Sequence, residues 1–202
     1  MRKLIDKLLN NSYIYGFFQS LVRTKRASEL KKILIGELVG IVIDLGSGNG
    51  DLADLIEAER YVGIEPLEGC ITRSRKRFPN HQFIHGDHRA LSVIPPSSVN
   101  SVVFWGVWHH LGEQILQNVL EECFRVLSPQ GVILALEPVS NSPKTLADFV
   151  MKFDRGAFIR SENQYMALLK SNNFKDFSIS IHTDLVRIPY RSALISARKP
   201  SL

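Results

Sequence analysis

Cysteine, methionine and tryptophan are scarce in this chain, at two, three and two of 202 residues. Cys70 and Cys123 fall in helix-like segments and match no paired metal spacing, so neither a disulfide framework nor a zinc site is expected. Two thiols in a chain of this size suit a reducing cytoplasm. No run approaches the roughly 18–20 apolar residues that a membrane helix requires, so none is expected to span a bilayer. The opening MRKLIDKLLN mixes basic residues with leucines, but Asp6 and Lys7 interrupt it before a signal-peptide core forms. Internal repeats and low-complexity tracts are absent. What remains is an ordinary globular composition, 45% hydrophobic and 22% charged, which argues against disorder. The length leaves room for one domain, spanning 1–202. A net charge of +5 points to a nucleic-acid or membrane-surface partner, to an acidic substrate, or to nothing specific.

Residues 1–37 read as helical. Leu4, Leu8 and Leu9 recur at helix spacing, an aromatic patch follows over Tyr13–Phe18, and Ala27–Ile35 is amphipathic. From residue 40 short apolar runs alternate with amphipathic segments. Strands are expected at Ile41–Leu45, Tyr61–Ile64, Gln82–His85, Val99–Trp105 and Gly131–Leu136, and helices at Asp51–Glu57, Leu67–Phe78 and Glu113–Leu127. Near-continuous apolar strands separated by helices describe a parallel sheet covered on both faces, an α/β doubly wound architecture. Beyond Pro138 the rhythm breaks into a turn-rich linker at Ser140–Pro143, helices at Thr145–Phe153 and Ser161–Leu169, and β segments at Asp176–Ile181 and Arg187–Ala197. No helix-length spacer separates those last two, so they predict an antiparallel hairpin closing the sheet, with one reversed strand at or near its edge.

The strongest signal is Ile41-Val-Ile-Asp-Leu-Gly-Ser-Gly-Asn-Gly-Asp51, a buried strand running into glycines 46, 48 and 50 ahead of an expected helix. Glycine lets main-chain groups approach a ligand without a Cβ in the way, and this is where doubly wound sheets bind ligands. Glu65 ends the second strand, where a carboxylate accepts from both ribose hydroxyls, as in adenosine-type cofactor binding. The dinucleotide fingerprint G-x-G-x-x-G does not fit. Gly50 comes one position early and Asp51 takes the expected slot, where an acidic group would repel a pyrophosphate. A D-x-G-x-G-x-G loop suits a zwitterionic amino-acid tail instead.

Asp44-Leu-Gly-Ser-Gly-Asn-Gly50 resembles motif I of the class I S-adenosylmethionine-dependent methyltransferases. The resemblance continues through Glu65, Gly86-Asp87-His88, Phe104-Trp-Gly-Val-Trp-His-His-Leu111 and Phe124-Arg-Val-Leu-Ser-Pro-Gln-Gly131, covering about residues 38–137. It implies a Rossmann-like sheet of seven strands, mostly parallel with the last antiparallel, preceded by N-terminal helices over 1–37 that act as a lid. It also implies an acceptor-side insertion and hairpin over 138–202. The family's roles carry over by position. Backbone around Gly46, Ser47, Gly48 and Gly50 would hold the methionine moiety, with Asp44 orienting the loop and the amino group. Glu65 would take the ribose, Asp87 the adenine amine and His88 the neighbouring wall. Pro66, with Ile64 and Leu67, would flank adenine or ribose, and Trp105 and Gly106 would line the sulfonium end. Ser47 stands where many relatives carry Cys.

His109 and His110 are the candidate general bases, because histidine titrates near neutrality and both follow a strand at the ligand edge; capping or loop packing is the competing reading. Trp108 is read as an acceptor-side wall. Tyr15, Arg155, Arg160 and Tyr190 complete the acceptor side; the two arginines offer bidentate donors to phosphate or carboxylate, or pin a loop. The Phe153–Arg160 loop and Arg187-Ile-Pro-Tyr190 resemble small methyltransferases of bacterial polysaccharide synthesis, which implies a saccharide- or lipid-linked acceptor. The basic run Arg73–Arg77 is read as a solvated helix face rather than a nucleic-acid patch, since no aromatics interleave with it. The expectation is a cytoplasmic methyltransferase using S-adenosyl-L-methionine and no metal on a small-molecule or lipid- or sugar-linked acceptor. Peripheral membrane contact and oligomeric state stay open. The alternatives are an RNA or protein methyltransferase, a non-catalytic cofactor-binding protein of the same fold, and more distantly a nicotinamide-dependent reductase.

Overall fold

The computed structural model describes residues 24–140, 158–185 and 191–201. The expectations for Tyr13–Phe18, Tyr15, Arg155, Arg187, Tyr190 and the helix over Thr145–Phe153 lie outside these residues. The chain enters at α1 (Lys25–Gly36), whose N-cap Thr24 accepts a side-chain bond from the Ala27 amide at 3.2 Å. Then come β1 (Val42–Leu45), β2 (Tyr61–Glu65), α2 (Glu68–Arg77), β3 (Gln82–His85), β4 (Val99–Trp105), α3 (Glu113–Val126) and β5 (Leu127–Pro138). The last elements are α4 (Glu162–Ser171), β6 (Lys175–His182) and β7 (Ser192–Arg198). Ser161 and Gln164 close a capping box at the start of α4, satisfying two of the helix's orphan donors.

The strands form one seven-stranded sheet in the order β3-β2-β1-β4-β5-β7-β6. β1, β2, β3, β4 and β5 pair in parallel; β7 runs antiparallel to both β5 and β6, and β6 is the edge. The expected hairpin is therefore present, with its reversed strand one place in from the edge. Every residue of β1 is buried, as the centre of a sheet covered on both faces requires. One face packs Ile43, Val102 and Ile133 against α3 and α4; the other packs Val42, Val103 and Leu134 against Ile35 of α1 and Ile71 of α2.

One element departs from expectation. Asp51–Glu57 is not a regular helix: the crossover from β1 to β2 holds only the single 3₁₀ turns Ala53–Leu55 and Ala58–Arg60. Leu52, Ala53 and Ile56 are buried, so the apolar spacing that suggested a helix is real. Residues 51–60, however, must return the length of β1, about 13 Å for four residues, and turn twice, and a helix rising about 1.5 Å per residue would use nearly all ten and leave little chain for the turns. The more extended 3₁₀ turns cover the distance.

Strand order reverses between β1 and β4. Their carboxyl ends therefore flank a topological switch point, the place in an open α/β sheet where a ligand crevice forms.

Candidate active site

Three buried carboxylates stand at the carboxyl ends of the sheet: Asp44 on β1, Glu65 on β2 and Glu137 on β5. An ionic group at the end of an apolar strand costs desolvation unless donors meet it, and each of the three has donors.

Glu65 is bound to the glycine loop. Its Oε2 accepts from the Gly48 amide and its Oε1 from the Leu67 amide, both at 2.9 Å. Burial pushes its pKa up, and those two backbone bonds pull against it. Each oxygen keeps acceptor capacity beyond one N–H, so the carboxylate can still take hydroxyl donors. The loop is folded over the end of β2: the amides of Gly46 and Ser47 both donate to the Ile64 carbonyl, at 2.8 and 3.1 Å. Gly46 has φ +83°, and a Cβ there would meet Val107 Cγ2 at 2.5 Å, so the loops after β1 and β4 touch at this glycine. Gly48 has φ +54° and open space where a Cβ would stand, which leaves the loop's outer surface accessible. The Ser47 hydroxyl is buried close to the Tyr61 hydroxyl. Leu67 (40% exposed) presents apolar surface beside Glu65. An accessible glycine turn, a carboxylate with spare acceptor capacity and an exposed apolar side chain fit an adenosine carrying a small zwitterionic tail.

Asp44, expected to orient the loop, is buried, and its Oδ2 accepts from the Tyr61 hydroxyl at 2.7 Å. Burial pushes its pKa up to about 7, opposed by the Tyr61 bond and by the Lys31 charge. Lys31 on α1 is itself buried; its Nζ donates to the Asp51 carbonyl at 2.8 Å and lies 5.7 Å from the Trp105 ring centroid. Asp87 caps the turn His88–Val93 by accepting from the Arg89 amide, and the Arg89 guanidinium grips both its oxygens at 2.8–3.0 Å. The Arg89 bonds hold the Asp87 pKa down at about 2. His88 and Trp105 are half-buried, and Pro66 is exposed.

The loop after β4 is organised by Glu137. Its Oε1 accepts from the Val107 and Trp108 amides, each at 2.8 Å. Its Oε2 accepts from the His109 amide at 3.2 Å and from His109 Nδ1 at 2.7 Å. A carboxylate only accepts, so Nδ1 carries a proton, and in a neutral ring the lone pair would sit on Nε2. His109 Cε1 lies 3.7 Å from where a Cβ on Gly106 would be, which sets the ring against the turn ending β4. His110 is exposed, its ring centroid 4.0 Å from that of His109.

On the acceptor side, the expectation for Trp108 is overturned, and Arg160 follows the loop-pinning alternative. Trp108 is no wall of a cavity: it has 0% exposure and packs in the core against Phe104 and Tyr165, at centroid distances of 5.4 and 5.8 Å. The indole follows the chain into the sheet–helix interface because three N–H bonds to Glu137 turn the loop inward. Arg160 does not present its fork to an anion. Its Nη1 donates to the Trp108 and Phe158 carbonyls and its Nη2 to the Leu111 carbonyl, at 2.8–3.1 Å, so it ties 158–160 to the β4 loop. The run Arg73–Arg77 is likewise more than a solvated face, since Arg73 and Arg77 reach the glycine loop. Glu137, Lys31 and Tyr61 were not anticipated as site residues. A signal existed for Glu137: like Asp44 and Glu65, it is an acid closing a run of buried apolar residues.

Cys70 and Cys123 are buried free thiols. Among the described residues no group of three or more His, Cys, Asp or Glu is arranged to hold a metal, and no helix is long and apolar enough to cross a membrane.

Residues 42–131 match the family described as "Methyltransferase domain". A probable S-adenosylmethionine-dependent methyltransferase of Mycolicibacterium smegmatis is 38% identical over 99 residues, covering 48% of this chain and 37% of that protein. The chain thus spans little more than a third of that relative's length. Among solved structures, an S-adenosylmethionine-dependent methyltransferase from Archaeoglobus fulgidus superposes with a TM-score of 0.71 at 15% identity, over 86% of this chain and 92% of its own. Geranyl diphosphate C-methyltransferase from Streptomyces coelicolor, solved with Mg2+, geranyl diphosphate and S-adenosyl-L-homocysteine, gives 0.72 at 13% identity, over 85% of this chain and 79% of its own. Residues 42–131 of this chain are thus similar to the methyltransferase-domain family, and the chain has the fold of the class I S-adenosylmethionine-dependent methyltransferases.

Proposed function

We propose that the chain binds S-adenosylmethionine across the β1–β4 switch point and transfers its methyl group to an oxygen or nitrogen of a small-molecule or lipid- or sugar-linked acceptor. The observation that carries this reading is Glu65: one carboxylate, fixed by the Gly48 and Leu67 amides, faces the accessible turn of the glycine loop. S-adenosylmethionine supplies an electrophilic methyl on a sulfonium sulfur. Glu65 accepts from the ribose hydroxyls. The Gly46–Gly50 backbone holds the amino-acid tail, and His88, Pro66 and Leu67 border the base. Asp87 stands on the same side, with its hold on Arg89 to be exchanged for the adenine amine. Trp105 and Gly106 border the sulfonium end. His109, with a proton on Nδ1 held by Glu137, is the candidate to take the proton an acceptor hydroxyl releases, which requires its buried Nε2 to be reached from the crevice. His110 is the second candidate for that task. Alignment of two bound reactants lowers a barrier by roughly 7–11 kcal/mol, so the base is a secondary contribution. The S-adenosyl-L-homocysteine and geranyl diphosphate bound by the Streptomyces enzyme support both the cofactor and a small acceptor. Two buried, unbridged thiols suit work in the cytoplasm.

Calorimetric titration with S-adenosylhomocysteine tests this. The expected result is binding by the unmodified chain and a loss of about 100-fold in Glu65→Ala, since two hydrogen bonds to a charged group contribute roughly 3 kcal/mol. Gly48→Arg fills the accessible face and abolishes binding. Unchanged affinity in both variants overturns the reading. Cofactor binding with no transfer to any acceptor favours a non-catalytic protein of this fold, and RNA binding that falls steeply with salt favours an RNA methyltransferase.

A further inference from the structure

In a doubly wound sheet the glycine loop leads straight into a helix, and that helix's backbone fixes the end of the loop. Here it leads into two single 3₁₀ turns, so the carbonyls of residues 47–51 need other donors. Each has one. Within the loop, Gly50 N donates to Ser47 O at 2.9 Å and Ala53 N to Gly50 O at 3.2 Å. The other three are met by side chains from the two flanking helices. Arg77 Nη1 donates to Asn49 O at 2.7 Å, Lys31 Nζ to Asp51 O at 2.8 Å, and Ser74 Oγ lies 3.0 Å from Gly48 O. The Ser74 proton is shared with Cys70 O at 2.9 Å. Two further contacts reach side chains of the same loop: Arg73 Nη1 to Asn49 Oδ1 at 3.2 Å and Arg77 Nη1 to Asp51 Oδ1 at 3.3 Å.

We infer that Arg77 and Ser74 on α2, with Lys31 on α1, are positioning residues that hold the glycine loop in its ligand-ready shape in place of the missing helix. The inference rests on the reading of this loop as the cofactor site. It assigns a task to the basic run after β2: Arg73 and Arg77 aim at the loop, while Arg75 donates elsewhere, to the Phe83 carbonyl at 2.7 Å. The three residues act on backbone that the ligand touches and not on the ligand itself. Their removal lowers the fraction of molecules with a competent loop, and apparent affinity falls by that fraction.

The test uses the full chain with Arg77→Met, Ser74→Ala, Arg77→Lys and Lys76→Met. Lys76 is exposed on the same helix, and its loss removes the same charge without touching the loop. In the ligand-free protein, amide exchange at Gly48 and Gly50 is expected to accelerate about 5-fold in Arg77→Met, with the thermal midpoint unchanged. Affinity for S-adenosylhomocysteine is expected to fall about 5-fold, and about 10-fold when Ser74→Ala is added; one half-exposed charge-assisted bond to a carbonyl warrants no more. Arg77→Lys restores part of both effects, and Lys76→Met changes neither. Equal exchange at Gly48 and Gly50 in Arg77→Met and the unmodified chain overturns the inference, as does a Lys76→Met effect of the same size. The exchange measurement decides the matter without ligand, so an unmodified chain that fails to bind S-adenosylhomocysteine refutes the cofactor reading and leaves the loop test standing.

Discussion

Replacing Glu137 by Gln changes one oxygen to NH₂ at the junction of β5 and the β4 loop. The carboxylate accepts from three amides and one imidazole, and its side chain has no solvent exposure. Glutamine can orient its carbonyl toward Val107 and Trp108 and keep both of those bonds. Its NH₂ then faces the His109 amide, two donors in opposition, and the imidazole must present a bare Nδ1 to be satisfied. An orphaned buried N–H costs about 1–3 kcal/mol, and exchanging a charge-assisted bond for a neutral one costs about 1 more. The expected destabilisation is therefore about 2–4 kcal/mol, or a midpoint lowered by about 4–16 °C in a chain of this length. Urea unfolding measures the first figure and calorimetry the second. The imidazole ¹⁵N spectrum supplies an independent signature, because the ring moves its proton from Nδ1 to Nε2. Glu122→Gln is the comparison: it removes one carboxylate of a partly exposed pair with Arg125 and is expected to cost under about 1 kcal/mol. A Glu137→Gln protein as stable as the parent, with its His109 tautomer unchanged, would refute the four-donor arrangement.

Two further outcomes follow from the burial of Asp44 and Trp108. Asp44 titrates near 3.8 unfolded and about 7 folded, so its contribution to stability is full below about pH 4 and is lost as pH rises toward 7. Asp44→Asn keeps a Tyr61 partner and lacks this loss, so its stability relative to the parent should rise between pH 4 and 7 and level off above; a constant difference across that range would contradict the assignment. Trp108→Ala is expected to cost about 3–5 kcal/mol in urea unfolding, as for other large aromatics removed from a core. A loss below about 1 kcal/mol would return Trp108 to the surface of a cavity.

The sheet was legible because parallel strands buried on both faces leave near-continuous apolar runs: β3 and β4 have the bounds expected from Gln82–His85 and Val99–Trp105. The glycine loop and Glu65 were legible for a chemical reason, since the turn and the carboxylate are adjacent to strand ends. What sequence pattern does not carry is the three-dimensional distance to be bridged. Leu52, Ala53 and Ile56 have helical spacing, and only the short return path from β1 to β2 shows how little chain a helix there would leave for its turns. The direction of a side chain leaving a loop is equally hidden. Trp108 and Arg160 look like ligand groups by position, and long-range bonds to Glu137 and to the β4-loop carbonyls turn them inward. Arg77 shows the converse: an exposed-looking charge on a helix reaches across to a backbone carbonyl far away in sequence.

The placement of the two tryptophans also makes the protein its own optical instrument. Trp108 lies in a dry aromatic core, where an indole emits at short wavelength until the fold opens. Trp105 is half-buried at the carboxyl end of β4 with an ammonium group near its ring, so on the proposed reading of the crevice its emission is expected to shift when a ligand enters. Trp105→Phe leaves a chain whose tryptophan fluorescence is expected to report unfolding alone, and Trp108→Phe leaves one whose fluorescence in the folded state is expected to report occupancy of the proposed crevice. Loss of the fold and loss of the ligand can thus be followed as separate colour changes in the same protein.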